Sequence, residues 1–347
     1  MDRNLSPNAY YNAVSAEHVP QFRFGGKTPA DWRKWKKSLL PKALAGLGKM
    51  PARVPLNAEV QAQWEDGGLV KQRIIFDVEK HLSAVAFLFR PAEAKGKLPA
   101  ILACHGHGPH GKDSVMGNRG SADRAAKIAN NNYDYGLAMA KAGYAVIAID
   151  WRGFGERDDR RKPNWSDNFS DYDPCSAAYI RATTLGATSL GLNVFDGRRA
   201  LDLLCQQSFV DAERIGVMGL SFGGTMTVWM TLADERIKAA DVICYSDRFA
   251  DFHMRDNNSC GCQVTPGLYD LCDVCDLQGL IAPRPLLVEI GSYDDCFMAD
   301  SAVACYRDVE KIYAAAGVSD RLELDLFEGG HAWGGRKSRA FFAKHLG

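Results

Sequence analysis

The strongest constraint in this sequence is a series of short, continuous apolar runs separated by stretches of helical spacing. Leu98 to Cys104, Tyr144 to Asp150, Arg214 to Leu220, Ile237 to Tyr245 and Pro285 to Ile290 each read as a strand with no polar alternation, and Leu322 to Phe327 reads as a further strand. A strand that is apolar on both sides of its pleat must be covered on both faces, as in a parallel sheet between helical layers. Helices are predicted over Tyr135 to Ala142, Val194 to Cys205, Gly224 to Leu232, Asp300 to Ala315 and Arg336 to His345. Strand and helix thus alternate as β-α-β units require. Ahead of them, Leu69 to Val78 and Ser83 to Arg90 flank a polar turn and read as an antiparallel pair. The expected fold class is α/β, a mostly parallel central sheet with helices on both faces.

Residues 1–64 read as a helical extension. Thr28, Pro29 and Ala30 open a helix that carries Trp32, Trp35, Leu39 and Leu40, and Gly46 and Gly48 close it. Its tryptophans offer a surface on which a homo-oligomer could form. Residues 65–347 form the main domain. Two polar and aromatic segments, 151–191 and 246–280, interrupt the alternation after strands. Ligands bind beyond the carboxyl ends of parallel strands, so these insertions are expected to roof a site.

Lysine plus arginine equals aspartate plus glutamate at 42 each, which leaves no net field to draw nucleic acid or an anionic membrane. The basic stretch Arg33 to Lys37 reads as one face of an amphipathic helix. The first residues are polar and lack the apolar centre of a secretory signal, and no stretch reaches the roughly 18 apolar residues of a membrane span. The expectation is a cytoplasmic protein acting on a small molecule. Of ten cysteines, Cys104, Cys205, Cys244 and Cys305 lie inside apolar runs, which fits reduced thiols.

Gly219-Leu220-Ser221-Phe222-Gly223 fits G-x-S-x-G between a predicted strand and a predicted helix. In that context the motif is a sharp turn that holds the serine Oγ above the sheet, with glycines where side chains would collide. The helix start behind Ser221 supplies unpaired N–H groups and a positive dipole end for a developing oxyanion. A serine hydroxyl is a weak nucleophile, so an acid and then a base should follow in the chain. Among eight histidines, only His331 follows the last strand in a glycine-rich loop, Glu328-Gly329-Gly330-His331. His18, His81 and His345 read as peripheral, and His253 in the second insertion is a weaker competitor. For the acid, Asp294 and Asp295 both follow the strand that ends at Ile290, and Asp247 is more remote.

The loop His105-Gly106-His107-Gly108 follows the strand that ends at Cys104, where a second oxyanion donor belongs in this arrangement. The backbone N–H groups of His107 and Phe222 are the expected pair. A metal reading of His105, His107 and His110 is disfavoured because no acidic residue nearby plainly completes a ligand set. Cys260, Cys262, Cys272 and Cys275 form C-x-C and C-x-x-C with spacing irregular for a zinc module, so thiols are expected and neither metal nor cofactor is assigned. Trp151, Trp165, Tyr172 and Phe252 in the insertions, and Trp333 beside His331, are candidate pocket walls, with Trp151 and Trp333 taken as substrate-binding.

These residues, with Pro266-Gly267-Leu268, Leu280 to Pro285 and Gly291-Ser292-Tyr293-Asp294, resemble the dienelactone hydrolase and acetyl xylan esterase branch of the α/β-hydrolases. The likeness runs from about residue 65 to the end. It implies an α/β-hydrolase fold and an esterase, and it selects Asp294 because the acid in similar esterases lies three residues after that glycine. Asp150 to Gly155 resembles the family's post-strand turn and is expected to shape the pocket floor. Dienelactone hydrolases proper use cysteine, so Ser221 implies a serine esterase, acting on acetyl or other short acyl esters of small soluble substrates, sugars among them. The rivals are a peptidase like prolyl oligopeptidase, for whose propeller the chain has no room, and a non-catalytic binding protein, which would be expected to lack one of the three residues.

Overall fold

A computed structural model describes residues 3–159, 174–256 and 258–347. Its centre is a nine-stranded sheet in the order β1-β2-β3-β5-β4-β6-β7-β8-β9. The strands are β1 (Glu59–Asp66), β2 (Leu69–Glu79), β3 (Leu82–Pro91), β4 (Leu98–Cys104), β5 (Ala145–Ile149), β6 (Val210–Leu220), β7 (Ile237–Ile243), β8 (Leu286–Gly291) and β9 (Leu322–Phe327). β1, β2 and β3 pair antiparallel, β3 joins β5 antiparallel, and every pairing from β5 to β9 is parallel.

The inner parallel strands β5, β4, β6, β7 and β8 are buried on both faces because successive side chains serve different helical layers, while the edge strand β9 is only partly buried. Leu102, Cys104 and Val217 belong to one apolar cluster with Leu201, Trp229 and Val309 from helices Ser189–Cys205, Phe222–Ala233 and Ala299–Ala316. Ile101, Ala103 and Met218 belong to the other, with Tyr135, Met139, Phe341 and Phe342 from helices Tyr135–Lys141 and Ser338–Leu346. The predicted α/β class and the two helical layers are what the chain adopts.

Local structure departs from the expectation mainly near the amino end. The helix over Pro29–Gly46 starts at its N-cap Thr28 with a reciprocal Asp31 capping box, and Leu39 and Ala43 bury its inner face. A further helix, Pro7–Glu17, and strand β1 are not among the expected elements; β1 alternates Val60, Ala62 and Trp64 with polar residues, yet every one of its residues is exposed. The expected boundary between residues 64 and 65 falls inside β1, which is an edge strand of the main sheet.

The post-strand turn at Asp150 is a polar brace. Lys112 Nζ lies 2.8 Å from Asp150 Oδ2 and 2.6 Å from Glu156 Oε1, and Lys112 N donates to Asp150 Oδ1 at 2.8 Å. Lys112 and Asp150 are both fully buried, so removing Lys112 would leave the Asp150 carboxylate buried without its cation. The brace fixes the far end of the loop that leaves β4.

Candidate active site

The turn after β6 stores strain. Ser221 sits at φ 63°, ψ −124°, a region that non-glycine residues avoid and that costs on the order of 1–3 kcal/mol. Backbone crowding explains the flanking glycines. A Cβ at Gly219 would stand 2.5 Å from the Gly223 carbonyl oxygen, and one at Gly223 would stand 2.1 Å from that of Cys104. The elbow is therefore wedged against the end of β4, which brings the next loop alongside: a Cβ at Gly106 would lie 3.1 Å from the Ser221 Cβ.

That loop is held from below. The Gly106 N–H donates to the buried Tyr133 hydroxyl at 2.7 Å. His105 points into the core, where its Nε2 accepts the Trp151 N–H at 3.0 Å, and burial pushes its imidazole down to about 4, so it is neutral. Among the described residues, no acceptor pairs with the backbone N–H of His107 or of Phe222. Phe222 opens the helix Phe222–Ala233, where the first N–H groups have no acceptor of their own.

Asp294 and His331 meet through glycine contacts between the loops that follow β8 and β9. Ser292 N donates to Phe327 O at 2.9 Å and Tyr293 N to Gly329 O at 2.8 Å. A Cβ at Gly291 would fall 2.4 Å from Gly330 O, so the two loops lie closer than any larger residue permits. His331 Nδ1 stands 2.9 Å from Asp294 Oδ2 and 3.2 Å from Oδ1. Oδ1 also accepts from the backbone of Cys296 at 2.8 Å and Phe297 at 3.0 Å. Burial alone would raise the Asp294 carboxyl, but His331 and these two N–H groups outweigh it and hold it below the usual carboxylate range. Asp294 is buried, whereas Asp295 is exposed. Phe297 stacks on the His331 ring at 5.7 Å.

Ser221 and His331 line one cavity of about 400 Å³ with His107, Lys127, Tyr133 and Cys175. Phe252, Asn258, Cys260, Gln263 and Cys296 complete its wall, so both insertions contribute to the roof. The arrangement is a strained serine and a carboxylate-oriented imidazole on one cavity, with two unpaired N–H groups at the ends of β4 and β6.

The profile of the abhydrolase family matches residues 2–311. The chain belongs to that family. The match ends before β9, so the position of His331 comes from the structure. YtaP of Bacillus subtilis (strain 168), whose name carries a provisional hydrolase assignment, is 28% identical to this abhydrolase over 293 residues, 82% of this chain and 90% of its own. Solved structures share the fold. A Bacteroides fragilis protein described provisionally as an acetyl xylan esterase superposes with TM-score 0.73 at 22% identity, over 94% of this chain and 83% of its own. A glucuronoyl esterase from Solibacter usitatus follows at TM-score 0.65 and 18% identity, over 91% and 94%.

In this abhydrolase the two tryptophans expected to bind substrate are core residues. Trp151 is fully buried and its Nε1 donates to His105 O at 3.2 Å, while Trp333 donates to Ser338 Oγ at 2.9 Å and packs on Tyr135. Each indole N–H is satisfied inside the protein, and neither residue lines the cavity. Trp165 and Tyr172 lie outside the described residues. Asp247 accepts from Ser301 Oγ, and His253 is enclosed by Phe249 and Phe252. His105, His107 and His110 diverge, with His110 beside Asp123.

Sequence reasoning missed Tyr133 and Asn131. Asn131 Nδ2 donates to His331 O at 2.7 Å and its carbonyl accepts the Trp333 N–H at 3.0 Å, which clamps the His331 loop. Nothing in their local spacing distinguishes these residues from surface polar groups. The four cysteines of the C-x-C and C-x-x-C pair also do not converge. The neighbours of Cys260 are instead His107, whose Nε2 lies 3.0 Å from its Sγ, and Cys175.

Proposed function

We propose that this abhydrolase is a serine esterase in which Ser221 is the nucleophile, His331 the base and Asp294 the orienting acid. The observation that carries the reading is the 2.9 Å His331–Asp294 pair on the same cavity as a strained, elbow-borne serine. Ser221 Oγ attacks the ester carbonyl carbon while His331 takes the hydroxyl proton. The carbonyl oxygen, now anionic, accepts from the N–H groups of Phe222 and His107. Each such donor is worth about 3–4 kcal/mol to the barrier. Collapse expels the alkoxide, which receives the proton from His331. Water, deprotonated by the same imidazole, then cleaves the acyl-serine and restores the enzyme. Asp294 stays ionised and accepts a hydrogen bond from the His331 Nδ1–H group throughout.

The cavity favours a short acyl group and a polar alcohol. Its wall mixes Leu220 and Phe252 with Lys127, Asn258 and Gln263, which suits hydroxyls better than an alkyl chain. The acetyl xylan esterase name of a protein that shares the fold supports acyl esters of sugars as the substrate class. The test is p-nitrophenyl acetate hydrolysis by the wild type and by Ser221→Ala, followed by acetylated monosaccharides. Turnover by the wild type and its loss in the variant is the expected result; equal turnover in both overturns the nucleophile.

A further inference from the structure

The cavity roof contains a second cluster that the esterase chemistry does not use. His107 Nε2, Cys175 Sγ and Cys260 Sγ all lie within 4.8 Å of one another. They come from three separate segments: the loop after β4, the first insertion and the second insertion. Cys175 is buried, and His107 and Cys260 are half-buried at the cavity wall. A fourth sulfur is at hand in Cys262, which is fully buried with its Sγ 3.9 Å from Cys175 O.

We propose that His107, Cys175 and Cys260 form a site for a soft divalent transition-metal ion, zinc in the cell. A tetrahedral zinc holds thiolates at about 2.3 Å and imidazole at about 2.0–2.1 Å, which sets its donors roughly 3.5–3.8 Å apart. His107 Nε2 and Cys260 Sγ stand 3.0 Å apart and all three atoms lie within 4.8 Å of one another, so side-chain rotations that open the His107–Cys260 pair by about half an ångström admit an ion. One sulfur-rich face and one imidazole select zinc or cobalt over magnesium or calcium, which take oxygen donors. The His107 ring is fixed between Phe154 at 5.5 Å and Phe222 at 5.0 Å, so its Nε2 is aimed at the cysteines before any ion arrives. Three protein ligands leave one position, which Cys262 or a water fills. A bound ion ties the loop that carries the His107 N–H to both roof segments, and so fixes the covering of the cavity above Ser221.

The site stands independently of the esterase reading, and its test does not use ester turnover. The full chain, reduced and stripped of metal by chelation, is titrated anaerobically with cobalt(II). The expected result is one equivalent bound, with intense thiolate-to-cobalt charge-transfer absorption that one equivalent of zinc abolishes. Cys175→Ser and Cys260→Ser each weaken cobalt binding by more than the 10–100-fold that loss of an outer-shell partner costs. Cys205→Ser, beside Arg236 and remote from the cluster, leaves the band intact, as does Ser221→Ala. Absence of charge-transfer absorption in the wild type overturns the proposal, whatever the variants do. So does a band that survives both cluster substitutions, or a Cys175–Cys260 disulfide found by mass spectrometry in the reduced, anaerobic protein.

Discussion

Replacing Asp294 by asparagine separates an orienting role from a merely structural one, because the local hydrogen bonds dictate which way the amide must face. Asp294 Oδ1 accepts two backbone N–H groups, from Cys296 and Phe297, while Oδ2 faces His331 Nδ1. In Asp294→Asn the amide oxygen must stay with those two donors, since turning the NH2 group toward them would oppose donor to donor. The NH2 then points at His331 Nδ1, which must become an acceptor, and the ring proton moves to Nε2. An imidazole protonated on Nε2 cannot take the Ser221 proton. The same tautomer error in serine proteases lowers turnover about 10⁴-fold, equivalent to about 5 kcal/mol of barrier. The assay is kcat for p-nitrophenyl acetate, with thermal unfolding in parallel; the fold should survive because both backbone bonds to Oδ1 are retained. Asp295→Asn, on an exposed neighbour, should change kcat little. Asp294→Asn within tenfold of the wild type, or Asp295→Asn as damaging, would refute the reasoning.

Two further substitutions test the scaffold. Gly223→Ala places a Cβ 2.1 Å from Cys104 O and should cost at least the 1–3 kcal/mol typical of overpacking in urea unfolding, whereas Gly25→Ala, with nothing within 4 Å, should be near neutral. Burial pushes the Glu289 carboxyl from its ordinary 4.5 up to about 7, so the folded state holds a proton that the unfolded chain has released. Its contribution is fully present below the ordinary carboxyl range and is lost as pH rises through about 7. Glu289→Gln should flatten that decline in unfolding free energy measured from pH 4.5 to 7.5; an unchanged slope would sink the assignment.

The parts of the fold that were legible are those where burial writes itself into residue type. β4 to β8 read correctly because both faces are covered and the predicted runs are largely apolar, while β9, at the sheet edge, alternates apolar and polar residues and is only partly buried. β1 and the helix Pro7–Glu17 are not among the expected elements, and almost nothing on them is buried. Ser221, His331 and Asp294 stand out as candidates in the sequence because each is tied to a strand end, with glycines marking the close approaches. The tryptophans misled because an aromatic after a strand is equally suited to a pocket wall or a core, and only the partner of its N–H decides. Cys175 could not be found from Cys260 by local spacing, since the two meet through tertiary structure alone.

The sheet order also sets a distance problem that explains the residues sequence reasoning missed. Ser221 leaves β6 and His331 leaves β9, three strand positions away and so roughly 14 Å across the sheet at ordinary strand spacing. His331, four residues beyond the end of β9, reaches the cavity on a loop that runs back over the end of β8, and such a loop alone would not hold an imidazole to a fraction of an ångström. Three anchors hold it: the Asp294 carboxylate at the ring, Asn131 at the His331 carbonyl, and Glu289, whose Oε2 accepts the Gly334 N–H at 3.0 Å and the Gly335 N–H at 3.3 Å. Two of these are carboxylates with opposite pH behaviour. The Asp294 carboxyl lies below its ordinary range, so its stabilisation is present above that range and lost as pH falls, while that of Glu289 is lost as pH rises. Ionisation of Glu289 strengthens its hold on the Gly334 and Gly335 N–H groups but buries a charge, so the two carboxylates that anchor the His331 loop pull the stability of the folded state in opposite directions with pH.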